Sequence, residues 1–137
     1  MIPKIIHYCW LGDSEFPELV KKCIQSWKKK MPDWEFILWD KNCLKDLNSD
    51  WVNEAYSTKK YAFAADYIRL YAVNKFGGFY LDSDVEVLKN FAPLLDSPYI
   101  FALENEIGDI EAATFGSEPN NPYVQKCLSY YEGRHFI

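Results

Sequence analysis

Gly77-Gly78-Phe79-Tyr80-Leu81-Asp82-Ser83-Asp84 carries more information than any other stretch of this 137-residue chain. The glycine pair stops a helix, a short aromatic and aliphatic strand follows, and two aspartates one residue apart close the segment. In an extended segment side chains alternate faces, so Asp82 and Asp84 are expected to point the same way, with Ser83 opposite. Two parallel carboxylates at a strand end suit a hard divalent cation that also holds a diphosphate oxygen. They suit little else, because like charges this close repel unless something positive lies between them. A solvated acidic turn is the plain alternative for an isolated Asp-x-Asp. The preceding helix weighs against it.

That helix is expected over Lys59 to Phe76, capped by Ser57 or Thr58 and ended by Gly77 in a left-handed conformation. Phe63, Tyr67, Leu70, Tyr71 and Asn74 recur at helical spacing, which predicts one buried, mostly apolar face. Ala62, Ala65, Asp66 and Arg69 form a second stripe of small residues with one acid and one base. Asp66 and Arg69, three apart, are neighbours on the helix surface. Taken alone they are a surface ion pair of little consequence. On a helix that runs through Gly-Gly straight into the Asp-x-Asp strand, the stripe is carried toward the same pocket.

Ala65-Asp66-x-x-Arg69 followed by Gly77-Gly78-x-Tyr80-x-Asp82-x-Asp84 resembles the signature of the DXD sugar-transferase family. That family includes bacterial capsular and surface polysaccharide glycosyltransferases and fungal initiating mannosyltransferases, and the glucosylating toxins of clostridia share the arrangement more distantly. Ile2-Pro3-Lys4-Ile5-Ile6-His7-Tyr8-Cys9-Trp10-Leu11-Gly12 is similar to the family's opening, and Pro32-Asp33-Trp34-Glu35-Phe36-Ile37-Leu38-Trp39-Asp40 to its second strand. The resemblance implies an α/β, Rossmann-like GT-A fold that binds a nucleotide sugar on a mostly parallel central sheet flanked by helices. Members of the family continue past the end of this sequence. Residues 1–137 are therefore expected to form a single donor-binding domain, C-terminally truncated, with the acceptor-side segments absent.

The coarse order agrees: a strand at Lys4 to Trp10, a helix at Pro17 to Lys30, a strand at Glu35 to Trp39, and a short helix at Trp51 to Tyr56. After the long helix and the Asp-x-Asp strand come strands at Tyr99 to Glu104 and Ala112 to Phe115. A last helix covers Pro122 to Glu132, capped by Asn120 or Asn121 and ended by Gly133. Alternating strands and helices predict a mostly parallel sheet covered on both faces, with ligands beyond the carboxyl ends of its strands. Tyr8-Cys9-Trp10-Leu11-Gly12 and Leu81-Asp82-Ser83-Asp84 both lie at such ends.

Composition fits a compact domain: hydrophobic residues make up 49% of the chain, and the net charge of −5 gives no support to nucleic-acid binding. Cys9, Cys23, Cys43 and Cys127 lie far apart without C-x-x-C spacing, so buried thiols are expected in place of disulfides or a zinc site. No apolar run is long enough to cross a bilayer and no signal peptide opens the sequence, and a cytoplasmic protein is expected. Lys21, Lys22, Lys28, Lys29 and Lys30 make the first helix basic. This is a solvated face or a contact with anionic lipid, so peripheral association at the inner face of a membrane is a further expectation.

Trp10 ends a strand before a glycine turn, where an indole can stack a base for roughly 1–3 kcal/mol. In the resembling toxins a tryptophan after the first strand stacks on uracil, and Trp10 matches it by order. Trp27, Trp34, Trp39 and Trp51 read as packing residues, and His7 as a satisfied core histidine. The expected chemistry is metal-dependent transfer of a hexose from a nucleotide sugar. UDP-hexose is the first choice of donor and GDP-mannose the second, with a glycan or lipid-linked acceptor in surface polysaccharide synthesis. A Mn²⁺ or Mg²⁺ ion held by Asp84, with Asp82 assisting, would neutralise charge developing on the leaving diphosphate. The resemblance implies that Asp82 also meets donor hydroxyls, with Ser83 beside it, that Asp66 and Arg69 hold the donor sugar, and that the reaction is retaining. An inverting enzyme would need a carboxylate base, for which Glu104 and Glu106 are the candidates. Two rival readings are a non-catalytic nucleotide-sugar or carbohydrate binding module of the same fold, and a structural calcium site at Asp82, Asp84 and Glu86.

Overall fold

The computed structural model describes residues 1–103 and 110–136. Its elements are β1 (Ile5–Cys9), α1 (Glu18–Lys30), β2 (Glu35–Trp39), α2 (Leu44–Leu47), α3 (Asp50–Ser57), α4 (Tyr61–Phe76), β3 (Gly78–Leu81), β4 (Tyr99–Leu103), β5 (Ile110–Ser117) and α5 (Pro122–Ser129). Five strands form one sheet in the order β2-β1-β3-β5-β4. β1 pairs parallel with both β2 and β3, whereas β5 runs antiparallel to β3 and to β4. The expectation of a mostly parallel sheet therefore holds for the first three strands and stops there. Only six residues connect β4 to β5, too few for the crossover that a parallel pair requires, so the two return as a hairpin.

Alternation along the strands divides the core. Ile6, Tyr8, Phe79 and Leu81 pack with Val20, Ile24 and Trp27 of α1 on one face. Tyr80 and Phe115 pack with Val73 of α4 on the other. The chain leaves β1 through α1 to reach β2, then returns past β1 through α4 to β3. This reversal opens a crevice at the carboxyl ends of β1 and β3, where open α/β sheets hold ligands.

α4 is rotated from the orientation predicted by its aromatic stripe. Ala64, Ala65, Ile68, Arg69, Ala72 and Val73 are its buried residues, while Phe63 is 48% exposed and Tyr67 and Tyr71 are half-buried. Alanines let the helix backbone approach β1 and β3 closely, and the bulky rings meet the aromatic side chains of the C-terminal segment instead: Tyr67 lies edge-on to Tyr131, and Phe63 packs against Phe136. Ser57 and Thr58 do not cap α4. Their hydroxyls donate to the Asn53 and Glu54 carbonyls and finish α3, and Lys60 precedes α4 without a side-chain cap. Asn121 does cap α5, its side chain accepting from the Tyr123 and Val124 amides.

The glycine pair is a steric requirement. Gly77 has φ +68, and a Cβ there would lie 2.7 Å from the Pro119 ring. At Gly78, with φ +105, it would lie 2.7 Å from the Ile5 carbonyl oxygen. The four cysteines are free thiols.

His7 is a satisfied core residue, as expected. Its Nε2 lies 2.9 Å from the Gly77 carbonyl, which only accepts, and Trp39 Nε1–H donates to its Nδ1 at 3.1 Å. The two partners fix the neutral Nε2–H tautomer, and burial lowers the pKa to about 4. The folded value lies below the unfolded one, so the stability contribution is complete above the unfolded value of about 6.5 and is lost as pH falls toward the folded value. Between pH 7 and pH 5 this group alone removes about 2 kcal/mol. His135, exposed and paired with Glu54, has a raised pKa and acts in the opposite sense. Chemical denaturation in a His135→Gln background isolates the effect. The loss should appear there and flatten when His7→Gln is added; an unchanged slope would mean that His7 does not titrate on unfolding.

Candidate functional site

Arg69 organises the crevice. Its side chain is 10% exposed, and one guanidinium nitrogen lies 3.5 Å from Asp66 Oδ1 and 3.4 Å from Asp82 Oδ1. Its Nε–H donates to the Ala65 carbonyl at 3.2 Å, and the guanidinium stands 4.7 Å from the centre of the Tyr80 ring. The expected one-turn pair on α4 thus exists, but it is no surface pair, because the same cation also reaches the first aspartate of the Asp-x-Asp motif. Burial raises the Asp66 carboxyl above its ordinary pKa; Arg69 opposes this and Asp82 adds to it. Burial also holds the Tyr80 phenol well above its usual range, with Arg69 opposing and a hydrogen bond to Asp82 contributing. Tyr80 belongs to this cluster and was not expected there, although its i, i+2 relation to Asp82 across a strand end was the available signal.

Strand alternation does not extend through the motif. β3 ends at Leu81, and residues 82–85 form a turn in which the Val85 amide donates to the Asp82 carbonyl. Asp82 is half-buried on the α4 side, Ser83 is half-buried, and Asp84 is exposed. Asp84 and Glu86 both raise the pKa of Cys23 of α1, which places them within electrostatic reach of the other face. The turn therefore ends the strand alternation on which the expected alignment of the two carboxylates rests. It also removes the basis of a calcium site at Asp82, Asp84 and Glu86: among the described residues no three His, Cys, Asp or Glu side chains come together to hold a metal ion. Two carboxylates on one turn remain a hard-oxygen set suited to Mn²⁺ or Mg²⁺ when a diphosphate supplies further oxygens.

α1 secures this turn, an arrangement with no signal in the spacing. Trp27 Nε1–H donates to the Val85 carbonyl at 2.7 Å, and the Val87 amide donates to Ser26 Oγ at 2.9 Å.

Trp10 stands apart from the acid–arginine cluster. Its ring meets Phe16 edge-on at 5.3 Å, its Nε1–H donates to the Ser14 carbonyl, and it lines a cavity of about 410 Å³ with Ser14, Glu15, Phe16 and Lys21. A larger cleft of about 720 Å³ runs from Asp66 and Arg69 between α4, the β4–β5 hairpin and α5. The two cavities share no lining residue. Trp10 thus lines the smaller opening and Asp66 and Arg69 the larger, and Asp82 lines neither. Glu104 and Glu106 lie outside the described residues. No helix among the described residues is long and apolar enough to cross a membrane.

The family described as "Glycosyltransferase sugar-binding region containing DXD motif" matches residues 17–101. The chain is 27% identical to inositol phosphoceramide mannosyltransferase 1 of Schizosaccharomyces pombe, over 98% of this chain and 45% of that protein. It is 29% identical to mannosyl phosphorylinositol ceramide synthase SUR1 of Saccharomyces cerevisiae, over 100% of this chain and 37% of that protein. It therefore spans less than half the length of these relatives. Among solved structures, the PaToxG glycosyltransferase superposes with a TM-score of 0.69 at 22% identity, over 93% of this chain and 58% of that one, a likeness of fold. With both halves of the motif joined through Arg69 and the profile covering most of its length, the chain belongs to the family of glycosyltransferase sugar-binding regions containing the DXD motif.

Proposed function

We propose that this chain is the donor-binding portion of a metal-dependent, retaining glycosyltransferase that moves a hexose from a nucleotide sugar to a lipid-borne acceptor. One observation carries the reading: a nearly buried guanidinium joins Asp66 of the helix to Asp82 of the Asp-x-Asp turn at a sheet crevice. The names of the relatives, mannosyltransferases and ceramide synthases, favour GDP-mannose over the UDP-hexose put first from sequence. They likewise favour a phosphoceramide-type acceptor over surface polysaccharide. Peripheral association with the membrane that holds such an acceptor belongs to the same proposal.

In this reading Asp82 and Asp84 hold the cation, whose positive charge offsets that of the leaving diphosphate. Arg69 orients Asp82, and Asp66 accepts hydrogen bonds from donor-sugar hydroxyls. The open face of Trp10 stacks the base.

Calorimetry with GDP-mannose and UDP-glucose, with and without Mn²⁺, tests the proposal. GDP-mannose should bind more tightly with Mn²⁺, Mn²⁺ should bind more tightly with GDP-mannose by the same factor, and Asp84→Asn should abolish the coupling. Trp10→Ala should weaken the nucleotide by roughly 1–3 kcal/mol. Donor binding indifferent to a chelator would remove the metal assignment. Mannose release measured in the same samples distinguishes an enzyme from a binding module.

A further inference from the structure

We infer that Tyr131 is a donor-sugar contact: its phenol shares one cleft with Asp66 and Arg69 and reads a hydroxyl of the transferred hexose. The inference rests on the donor reading given above and adds a residue from the far side of that site. Asp66 and Arg69 belong to α4, whereas Tyr131 follows α5 and lines the same cleft of about 720 Å³. Burial raises the Tyr131 pKa, the Asp66 carboxylate adds to this, and Arg69 opposes it. Both charges of the α4 pair therefore act on the phenol.

Packing holds the ring in place. Trp51 of α3 lies edge-on to it at 5.0 Å and Tyr67 of α4 at 5.9 Å. Trp51 is itself tied down, its Nε1–H donating to the Phe63 carbonyl at 2.9 Å. The apolar body of Tyr131 is thus committed to packing, and its polar tip makes no hydrogen bond to another described residue.

Hydrogen-bond chemistry selects a sugar. An ionised carboxylate only accepts and a guanidinium only donates, but a hexose hydroxyl does both. A phenol also does both, so Tyr131 completes the bonding of a hydroxyl that Asp66 or Arg69 engages on one side. A site that bonds a substrate hydroxyl discriminates against the sugar lacking it, which makes Tyr131 a specificity-determining residue.

Tyr131→Phe keeps both ring contacts and removes only the hydroxyl. Calorimetry compares GDP-mannose with GDP, each with Mn²⁺, on the parent and on this variant. Affinity for GDP-mannose should fall about fivefold, the scale of one neutral hydrogen bond, while affinity for GDP stays within about twofold. GDP-mannose analogues lacking one sugar hydroxyl each locate the contact. For one of them parent and variant should bind alike, because the bond is already missing. Tyr130→Phe removes the neighbouring phenol, whose ring lies under Arg134, and should leave every affinity unchanged. Equal losses for GDP and GDP-mannose, or a loss that persists with every deoxy analogue, assign Tyr131 to structure and overturn the inference. So does no loss at all, or the same loss in Tyr130→Phe. A parent that binds GDP with Mn²⁺ but gains nothing from the mannose overturns this inference alone. A parent that binds neither ligand removes the donor reading, and the inference with it.

Discussion

Replacing Trp27 by alanine should destabilise the domain by about 3–5 kcal/mol, the range for a large aromatic lost from a core. Trp27 is fully buried, lies edge-on to Tyr8 at 5.2 Å, and bonds the Val85 carbonyl through its indole nitrogen. For a domain of this size each kcal/mol moves the melting temperature by about 3–5 °C, so calorimetry should record a fall of 10 °C or more. Trp27→Phe separates packing from anchorage. It keeps most of the ring volume and drops the hydrogen bond, at a stability cost of about 1–2 kcal/mol. Because that bond ties α1 to the residue after Asp84, the phenylalanine variant, fully folded at the assay temperature, should lose several-fold in Mn²⁺-dependent donor affinity. Donor binding identical to the parent would show that α1 supports the core but does not position the turn.

Arg69→Met is the second large effect. Removing one partner of a buried ion pair costs about 3–5 kcal/mol, but Asp66 and Asp82 keep 43% and 33% of their side chains in water, and screening brings the expectation to about 2–3 kcal/mol. Lysine should not restore the loss, because an ammonium lacks both the Nε–H bond to Ala65 and the planar contact with Tyr80. The pH dependence has a defined sign. Asp66 already sits above its ordinary pKa, and removing Arg69 takes away the influence that opposes this. A carboxyl whose folded pKa exceeds its unfolded one destabilises the fold at high pH and is relieved as pH falls through the folded value. The stability gap between Arg69→Met and the parent should therefore narrow from pH 8 to pH 5. A constant gap would assign the whole cost to lost packing.

The sequence made the first three strands and every main helix legible, because hydrophobic period, a proline start and glycine stops are local signals. The spacing of Asp66 and Arg69 and the position of Asp82 were legible for the same reason. Two errors share one cause, since periodicity says which residues align but not what they align against. The aromatic stripe of α4 is the bulkier face, yet the alanine face lies on the sheet because only small residues permit that approach. Asp82 and Asp84 alternate on paper, but the strand ends at Leu81 and the motif lies on a turn. The antiparallel return of β4 and β5 was hidden because burial patterns do not reveal strand direction. The anchorage of the turn by Ser26 and Trp27 joins residues about sixty positions apart, which no local pattern reports.

β3 is bonded on both sides by neighbours of opposite direction, and all four of its residues are buried. Opening such a strand to solvent requires separating two ladders at once, so its amides should exchange deuterium only through global unfolding. Residues 82–87 hang from this slowest-exchanging strand by covalent bonds and from α1 by two hydrogen bonds. Sub-global openings that release α1 should then expose the amide of Val87, which donates to Ser26 Oγ, while those of Phe79 and Tyr80 stay protected. The domain should therefore open as two cooperative units of unequal stability, with the boundary between them within the Asp-x-Asp turn.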